Sequence, residues 1–353
     1  MNRINTTLFM AIALAAVAFA QTPQRRRWQP REAFVTDTPM VHDPVMAFEN
    51  GTYYAYATGM GIQMMTSKDC KSWTVQPRSA LGRLPEWTHD SVPDFRGHTW
   101  APDIIRYRDR WWMAYSCSTF GRNTSAIGLA SSPTLDFTDS LHYQWTDHGC
   151  IVASQEHRDQ WNAIDPAFIL DGQGQPWLSW GSFWDGIQLV RLDTTLHVAA
   201  GCTPRTIARR IALRDTLRAE PNPTSQHAGR NAIEAPFILR HGDYYYLFVS
   251  HDYCCRGMKS NYKVVVGRSR SVEGPYLDRT GRDMADGGGS LVIEGDKKEF
   301  EAAGHSAAYH LPDGNDLFIC HGYSIPLGGQ SILVQRIIRW TPDGWPELES
   351  TNF

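Results

Sequence analysis

The chain has 353 residues, with 34 Lys and Arg against 37 Asp and Glu and a net charge of −3. Such a balance, without any basic stripe, excludes a surface built to grip nucleic acid. Seven Cys, an odd and sparse set, exclude a disulfide-stapled miniprotein, and no CxxC pair or Cys/His cluster has zinc spacing. Aromatic residues make up 12% of the chain, including 13 Trp and 14 Tyr, whose flat apolar faces serve both cores and sugar sites.

The first segment reads as an address. Asn2 and Arg3 give a positive start, Leu8 to Val17 is an unbroken apolar run, and Ala18-Phe19-Ala20 is a small-x-small cleavage site before Gln21. The run is too short for a bilayer, which takes roughly 20 apolar residues. A signal peptide over 1–20 is therefore expected, with export to the periplasm or the medium and no membrane span. Residues 21–33, which carry Arg25-Arg26-Arg27, read as a disordered lead-in. Residues 34–353 read as one large all-β domain, expected to be monomeric.

Beyond that point, short apolar and aromatic runs alternate with Gly, Pro, Asn and Asp, the pattern of many short strands joined by turns. The stretch Thr206 to Leu217 is the one modest helix candidate. An internal repeat organises the rest. Val41-His42-Asp43-Pro44-Val45-Met46 precedes Asn50-Gly51 and an aromatic strand. Trp100-Ala101-Pro102-Asp103-Ile104-Ile105, Ile164-Asp165-Pro166-Ala167-Phe168-Ile169 and Ile233-Glu234-Ala235-Pro236-Phe237-Ile238 repeat that grammar, and Gly304-His305-Ser306-Ala307-Ala308-Tyr309 is a looser fifth copy. Five copies predict a five-bladed β-propeller rather than a β-sandwich. The first strand of each blade should line the central axis, so equivalent positions converge at one end of it. Pro is tolerated there because it sits at a strand's start.

Aligned on the Pro, Asp43 and Asp165 share a position that His305 takes in the fifth copy; Glu234 lies one residue earlier, in register with Trp100. Three carboxyls at one end of an axis are expensive, because like charges at short range do not all ionise cheaply. The grouping suits chemistry in which one acid keeps its proton while another stays charged, as glycoside hydrolysis requires.

Longer motifs carry a family resemblance. His42-Asp43-Pro44-Val45-Met46, Gly97 to Asp103, Ser118 to Gly128, Asn162 to Pro166, Gly181-Ser182-Phe183-Trp184, Ile233 to Pro236 and Cys254-Cys255-Arg256-Gly257 resemble glycoside hydrolase family 43 arabinanases, over about Val41 to Pro346. The resemblance implies an inverting enzyme acting on α-1,5-linked L-arabinofuranose in arabinan, expected to be endo-acting. Release from chain ends, or an arabinofuranosidase or xylosidase of the same family, is the alternative, and a non-catalytic glycan-binding propeller is the alternative of another class. By resemblance, Asp43 is the general base, Glu234 the general acid and Asp165 the partner that tunes and orients Glu234. Trp100, Phe120, Asn162, Ser182 and Trp184 match positions that line the sugar site. His305 would face a central cation, assigned as calcium and held mainly by waters. The family's Gly-Pro-Gly-His-Asn-Ser is here Ala302-Ala303-Gly304-His305-Ser306-Ala307, so the neighbours of His305 lose an amide and a hydroxyl. For Cys254 and Cys255, two buried thiols are expected, a vicinal disulfide being the alternative.

Overall fold

The computed structural model describes residues 32–212 and 230–350, so the expected signal peptide and most of the lead-in lie outside the described residues. Five antiparallel sheets follow one another along the chain, each running from an inner to an outer strand. Blade 1 holds Val45–Glu49, Thr52–Ala57, Gln63–Ser67 and Trp73–Val75, with Phe34–Thr36 on its outer edge. Blade 2 holds His98–Tyr107, Arg110–Cys117, Ser125–Ser132 and Thr146–Ser154. Blade 3 holds Ala167–Leu170, Pro176–Trp180, Ile187–Arg191 and Arg205–Ala208. Blade 4 holds Ile233–His241, Tyr244–His251, Lys263–Ser269 and Ser290–Ile293, and blade 5 holds Phe300–His310, Asp316–Ser324, Gln330–Trp340 and Pro346–Leu348.

This is the five-bladed propeller the repeat predicts. The Asn50-Gly51 pair, at φ 48° and 73°, joins strands that pair Glu49 with Thr52, the left-handed geometry a two-residue hairpin requires. The ring closes through the segment before blade 1. Val41 N–H donates to Ser331 O at 3.2 Å and Leu333 N–H to Pro39 O at 3.0 Å, tying that segment to blade 5. The expected helix at Thr206 is not formed. Arg205–Ala208 is the outer strand of blade 3, because the sheet offers it ladder partners on Ile187–Arg191, and the remainder to Leu217 lies largely outside the described residues. A short helix at Trp87–Ser91 had no sequence signal. Among the described residues no helix is long and apolar enough to cross a membrane.

The inner strands share a backbone kink, just ahead of the strand in blades 1 and 3 and within it in blades 2, 4 and 5. Asp43, Ala101, Asp165, Ala235 and His305 all hold positive φ, between 41° and 58°, a conformation that L side chains adopt only when the surroundings impose it. What imposes it is a ring of hydrogen bonds between consecutive blades. Ala101 N–H donates to Thr58 Oγ1 (2.9 Å), Asp165 N–H to Ser116 Oγ (3.0 Å), His305 N–H to Ser250 Oγ (2.8 Å) and Asp43 N–H to His321 Nδ1 (3.2 Å). Thr58 and Gly181 are equivalent, since their N–H groups donate to His42 O and Ile164 O respectively. Gly181 can offer no hydroxyl, for a Cβ there would meet Gly186 O at 2.4 Å. At that one junction the Asp165 carboxylate accepts the Ala235 N–H instead, at 3.1 Å.

One buried acid supports the axis itself. Asp103 accepts the Phe168 N–H at 2.7 Å across the blade 2–blade 3 boundary. Burial carries its carboxyl up to about 7, against the backbone donors and His305, which pull it down. A carboxyl raised by folding keeps a proton that the unfolded chain releases. Its contribution to stability is complete below the ordinary carboxyl range and is lost as pH climbs from about 4 towards 7. Asp103→Asn keeps an acceptor for Phe168 and removes the charge. Its melting temperature should match wild type near pH 4 and exceed it by about 2 °C or more near pH 8; equal melting curves at both values would show that the charge is not what limits stability there.

Candidate active site

The kinked turns bring the predicted acids together from blades 1, 3 and 4. Asp43 is the most heavily partnered. Its Oδ1 lies 2.8 Å from His42 Nδ1 and 3.0 Å from His305 Nδ1, and its Oδ2 accepts the Thr58 hydroxyl at 2.6 Å. Burial alone would raise this carboxyl; the two imidazoliums outweigh it and hold Asp43 well below the usual carboxylate range. Reciprocally, burial opposes protonation of both rings, but Asp43 prevails, raising His42 well above the ordinary value and His305 to about 9. His321 behaves oppositely. Burial and the neighbouring His42 charge hold it well below the ordinary value, so it is neutral, as accepting the Asp43 N–H requires. Its 3.6 Å approach to Asp43 Oδ1 is therefore not an ion pair.

Glu234 is buried, with both oxygens engaged: Ser182 donates to Oε2 at 2.7 Å and Tyr262 to Oε1 at 2.8 Å. Tyr262 reaches it by lying against Gly304, where a Cβ would stand 2.1 Å from the ring. Asp165 feels the charges of both other acids. Burial pushes its carboxyl up; His305 offsets part of that, and the charges of Glu234 and Asp43 add to the rise, leaving it well above the ordinary value. One end of the axis thus holds one carboxyl pushed towards its charged form and another pushed towards its protonated form. Such opposed environments are the prerequisite for dividing acid and base work.

The remaining predicted positions differ in their surroundings. Asn162 is buried and accepts the Ser125 hydroxyl at 2.6 Å. Ser182 holds Glu234 directly. Trp100 is half-buried and donates from Nε1 to His98 Nδ1 at 2.9 Å, while Phe120 is 78% exposed, a bare ring on the surface. Trp184 is only 7% exposed; the adjacent left-handed pair Phe183 (56°) and Trp184 (39°) turns it inward. Cys254 and Cys255 are free thiols, but they are half-buried and exposed, not buried. Sequence reasoning missed Thr58, Tyr262, His321 and Tyr323, whose hydroxyl meets His42 Nε2 at 3.2 Å and His321 Nε2 at 3.3 Å. His42 was legible as part of a motif, yet only its ring contacts with Asp43 give it a task.

The resemblance also implies a central cation at His305. His305 Nδ1 faces Asp43, and His305 belongs to none of the three-ligand His/Cys/Asp/Glu clusters found among the described residues. Calcium takes 6–8 oxygen ligands. His305 would supply at most one nitrogen to such a shell and leave the rest to waters, and no step below passes through a metal.

The chain's likeness to known proteins agrees with this geometry. Glycosyl hydrolases family 43 matches residues 38–346. The extracellular exo-α-(1→5)-L-arabinofuranosidase of Cellvibrio japonicus (strain Ueda107) is 45% identical over 309 residues, 88% of this chain and 86% of that protein. The extracellular endo-α-(1→5)-L-arabinanase 1 of Bacillus subtilis (strain 168) is 37% identical over 311 residues, 87% of each. The crystal structure of an exo-1,5-α-L-arabinanase from a bovine ruminal metagenomic library superposes with a TM-score of 0.82 at 51% identity, covering 90% of this chain and 99% of that one. With its five blades, its three converging acids and these relatives across nearly the whole domain, the chain belongs to glycosyl hydrolases family 43.

Proposed function

We propose that this protein is an exported hydrolase of α-1,5-linked L-arabinofuranosyl bonds in arabinan, acting with inversion. The observation that carries the proposal is the convergence of three buried carboxyls in opposed environments: Asp43, paired at 2.8 and 3.0 Å with His42 and His305, is pushed down, and Asp165, by burial and the charge of Glu234, is pushed up. Asp43 takes a proton from water as the oxygen attacks the anomeric carbon; on the opposite side Glu234, which shares one proton with the Asp165 carboxyl, carries that proton when substrate is bound and gives it to the departing oxygen. Ser182 and Tyr262 orient Glu234, and Thr58 orients Asp43. Cleavage within the chain is the reading the sequence motifs favour. Release from chain ends is the second reading, favoured by the two relatives at 45% and 51% identity, both named as exo-acting.

Purified protein incubated with linear arabinan and with xylan tests this. Release from arabinan alone supports the substrate, and a first-formed product of opposite anomeric configuration, followed by proton NMR, supports inversion. Mixed intermediate lengths indicate internal cleavage; a single short product throughout indicates end release. Binding without any release would make the chain a glycan-binding propeller.

Thr58 offers a sharper check. Its hydroxyl donates to Asp43 Oδ2 while accepting from Ala101 N–H, so it fixes base and blade together. Thr58→Val should lower kcat on arabinan about 10-fold or more, the worth of a hydrogen bond to a charged group, whereas Thr58→Ser should stay near wild type. Equal kcat for all three proteins would remove Thr58 from the site.

A further inference from the structure

Beside Asp43, but outside the acid pair, three soft or borderline ligands converge. His42 Nε2, Cys254 Sγ and Cys255 Sγ all lie within 4.8 Å of one another, with His42 Nε2 3.6 Å from Cys255 Sγ and the two sulfurs 2.7 Å apart. We propose that these three atoms form a binding site for a thiophilic divalent cation such as zinc, at the rim of the cleft and backed by Asp43.

Ligand chemistry and geometry both point to such an ion. Two thiolates and an imidazole suit zinc or cadmium and are poor ligands for calcium or magnesium. Around a tetrahedral zinc, with bonds of about 2.3 Å to sulfur and 2.0–2.1 Å to nitrogen, the nitrogen–sulfur edge is roughly 3.6 Å, as found here. The sulfur–sulfur edge is wider, so the thiols must part by about 1 Å, which a small rotation of either side chain supplies. His42 is already oriented as ligating histidines are: Nδ1 faces a carboxylate, Asp43 Oδ1 at 2.8 Å, and Nε2 faces the Tyr323 hydroxyl at 3.2 Å and Cys255 Sγ at 3.6 Å, so a bound ion would take the place of the Tyr323 contact. The loop is held as well. Cys255 sits at φ 62°, its N–H donates to Tyr323 OH at 2.6 Å, and Tyr253 N–H donates to Asn261 Oδ1 at 3.0 Å. Cys255 is exposed, which gives an ion a way in and leaves a fourth position for water. Hydrogen bonds from Cys254 and His42 also draw the Cys255 thiol down to about 6, readying it as a thiolate. Each thiol that binds releases its proton to solvent, and the His42 imidazolium releases its Nε2 proton while Nδ1–H stays on Asp43; no electron moves.

A cation on Nε2 would draw charge through His42 from Asp43 and weaken it as a base. This consequence rests on the proposed role of Asp43; the binding does not. The test is a cadmium titration of the full chain, reduced beforehand and shown by thiol assay to carry its seven free Cys. The expected result is a thiolate-to-cadmium absorption band in the near ultraviolet that saturates at one ion per chain. Cys254→Ser and Cys255→Ser should each weaken that binding by at least about 100-fold. The His241, His310 and Asp316 cluster, with only His310 exposed, holds no thiol and gives no such band. Cadmium should inhibit arabinan hydrolysis over the same concentration range, and each Ser variant, judged against its own ion-free rate, should resist. No band in the reduced chain, or a band untouched by both Ser variants, overturns the site. A band without inhibition supports the site and counts against Asp43 as the base.

Discussion

Glu234→Gln should lower kcat on arabinan by about 10²–10⁴-fold, the usual contribution of a positioned proton donor, yet be far less impaired on an aryl arabinofuranoside with an acidic phenol. Such a phenol departs without protonation, so the lost proton no longer matters. Asp43→Asn should lose a comparable factor on both substrates, because water must be deprotonated whatever leaves. Neither variant should misfold. Ser182 and Tyr262 can each reverse their hydroxyls to accept from an amide, and Thr58 can accept where it formerly donated. The neutral amide of the Asp43→Asn variant would, however, no longer hold His42 and His305 charged, so those rings should titrate at lower pH in NMR. Oligosaccharide affinity should persist in both variants. Equal impairment of Glu234→Gln on the two substrates would take Glu234 away from the leaving oxygen; recovery of Asp43→Asn on the aryl substrate would exchange the two roles.

The acids were legible in the sequence because each stands beside or near a Pro at the start of an inner strand or, for Pro236, at a bulge inside it, so a repeat on one strand becomes a ring in space. The devices that make those acids different were not legible. Thr58, Ser116, Ser250 and His321 occupy equivalent inter-blade positions, yet three carry hydroxyls and one a ring, so no motif marks them. Their partners are chosen only when neighbouring blades meet. Nor does sequence reveal that Ala101 and Ala235 bend through positive φ, since Ala gives no hint of it. Tyr262 stands 28 residues from Glu234 in sequence, and its ring takes the space that a Cβ on residue 304 would need, so Gly304 is part of what lets it reach the acid. Trp184 illustrates the reverse. Its motif suggests a sugar platform, but two consecutive left-handed residues fold the indole inward, while Phe120 keeps its ring in solvent. The Thr206 stretch shows apolar spacing too short to compete with an open sheet edge.

Asp165→Asn should be both slower and more stable than wild type. Its carboxyl is raised first by burial and then by the charges of Glu234 and Asp43, so at neutral pH the fold carries a group whose ionisation it resists. A raised carboxyl gives its full stabilising contribution at low pH and loses it as pH rises. Replacing it with a neutral amide should therefore raise the melting temperature at pH 7 by about 2 °C, on the order of 1 kcal/mol, and leave it unchanged near pH 4. The amide oxygen can still accept the Ala235 N–H, so the blade 4 kink survives. What disappears is an acidic neighbour for Glu234, and kcat on arabinan should fall by about 10²-fold or more. Asp165→Ala separates the two effects. It removes the same acid but strands the buried Ala235 N–H, which costs about 1–3 kcal/mol, so it should be equally slow and less stable than wild type. If the Asn variant were instead as fast as wild type and the Ala variant merely unstable, Asp165 would be a turn-holding residue, and the functional pairing of acids would reduce to Asp43 and Glu234 alone.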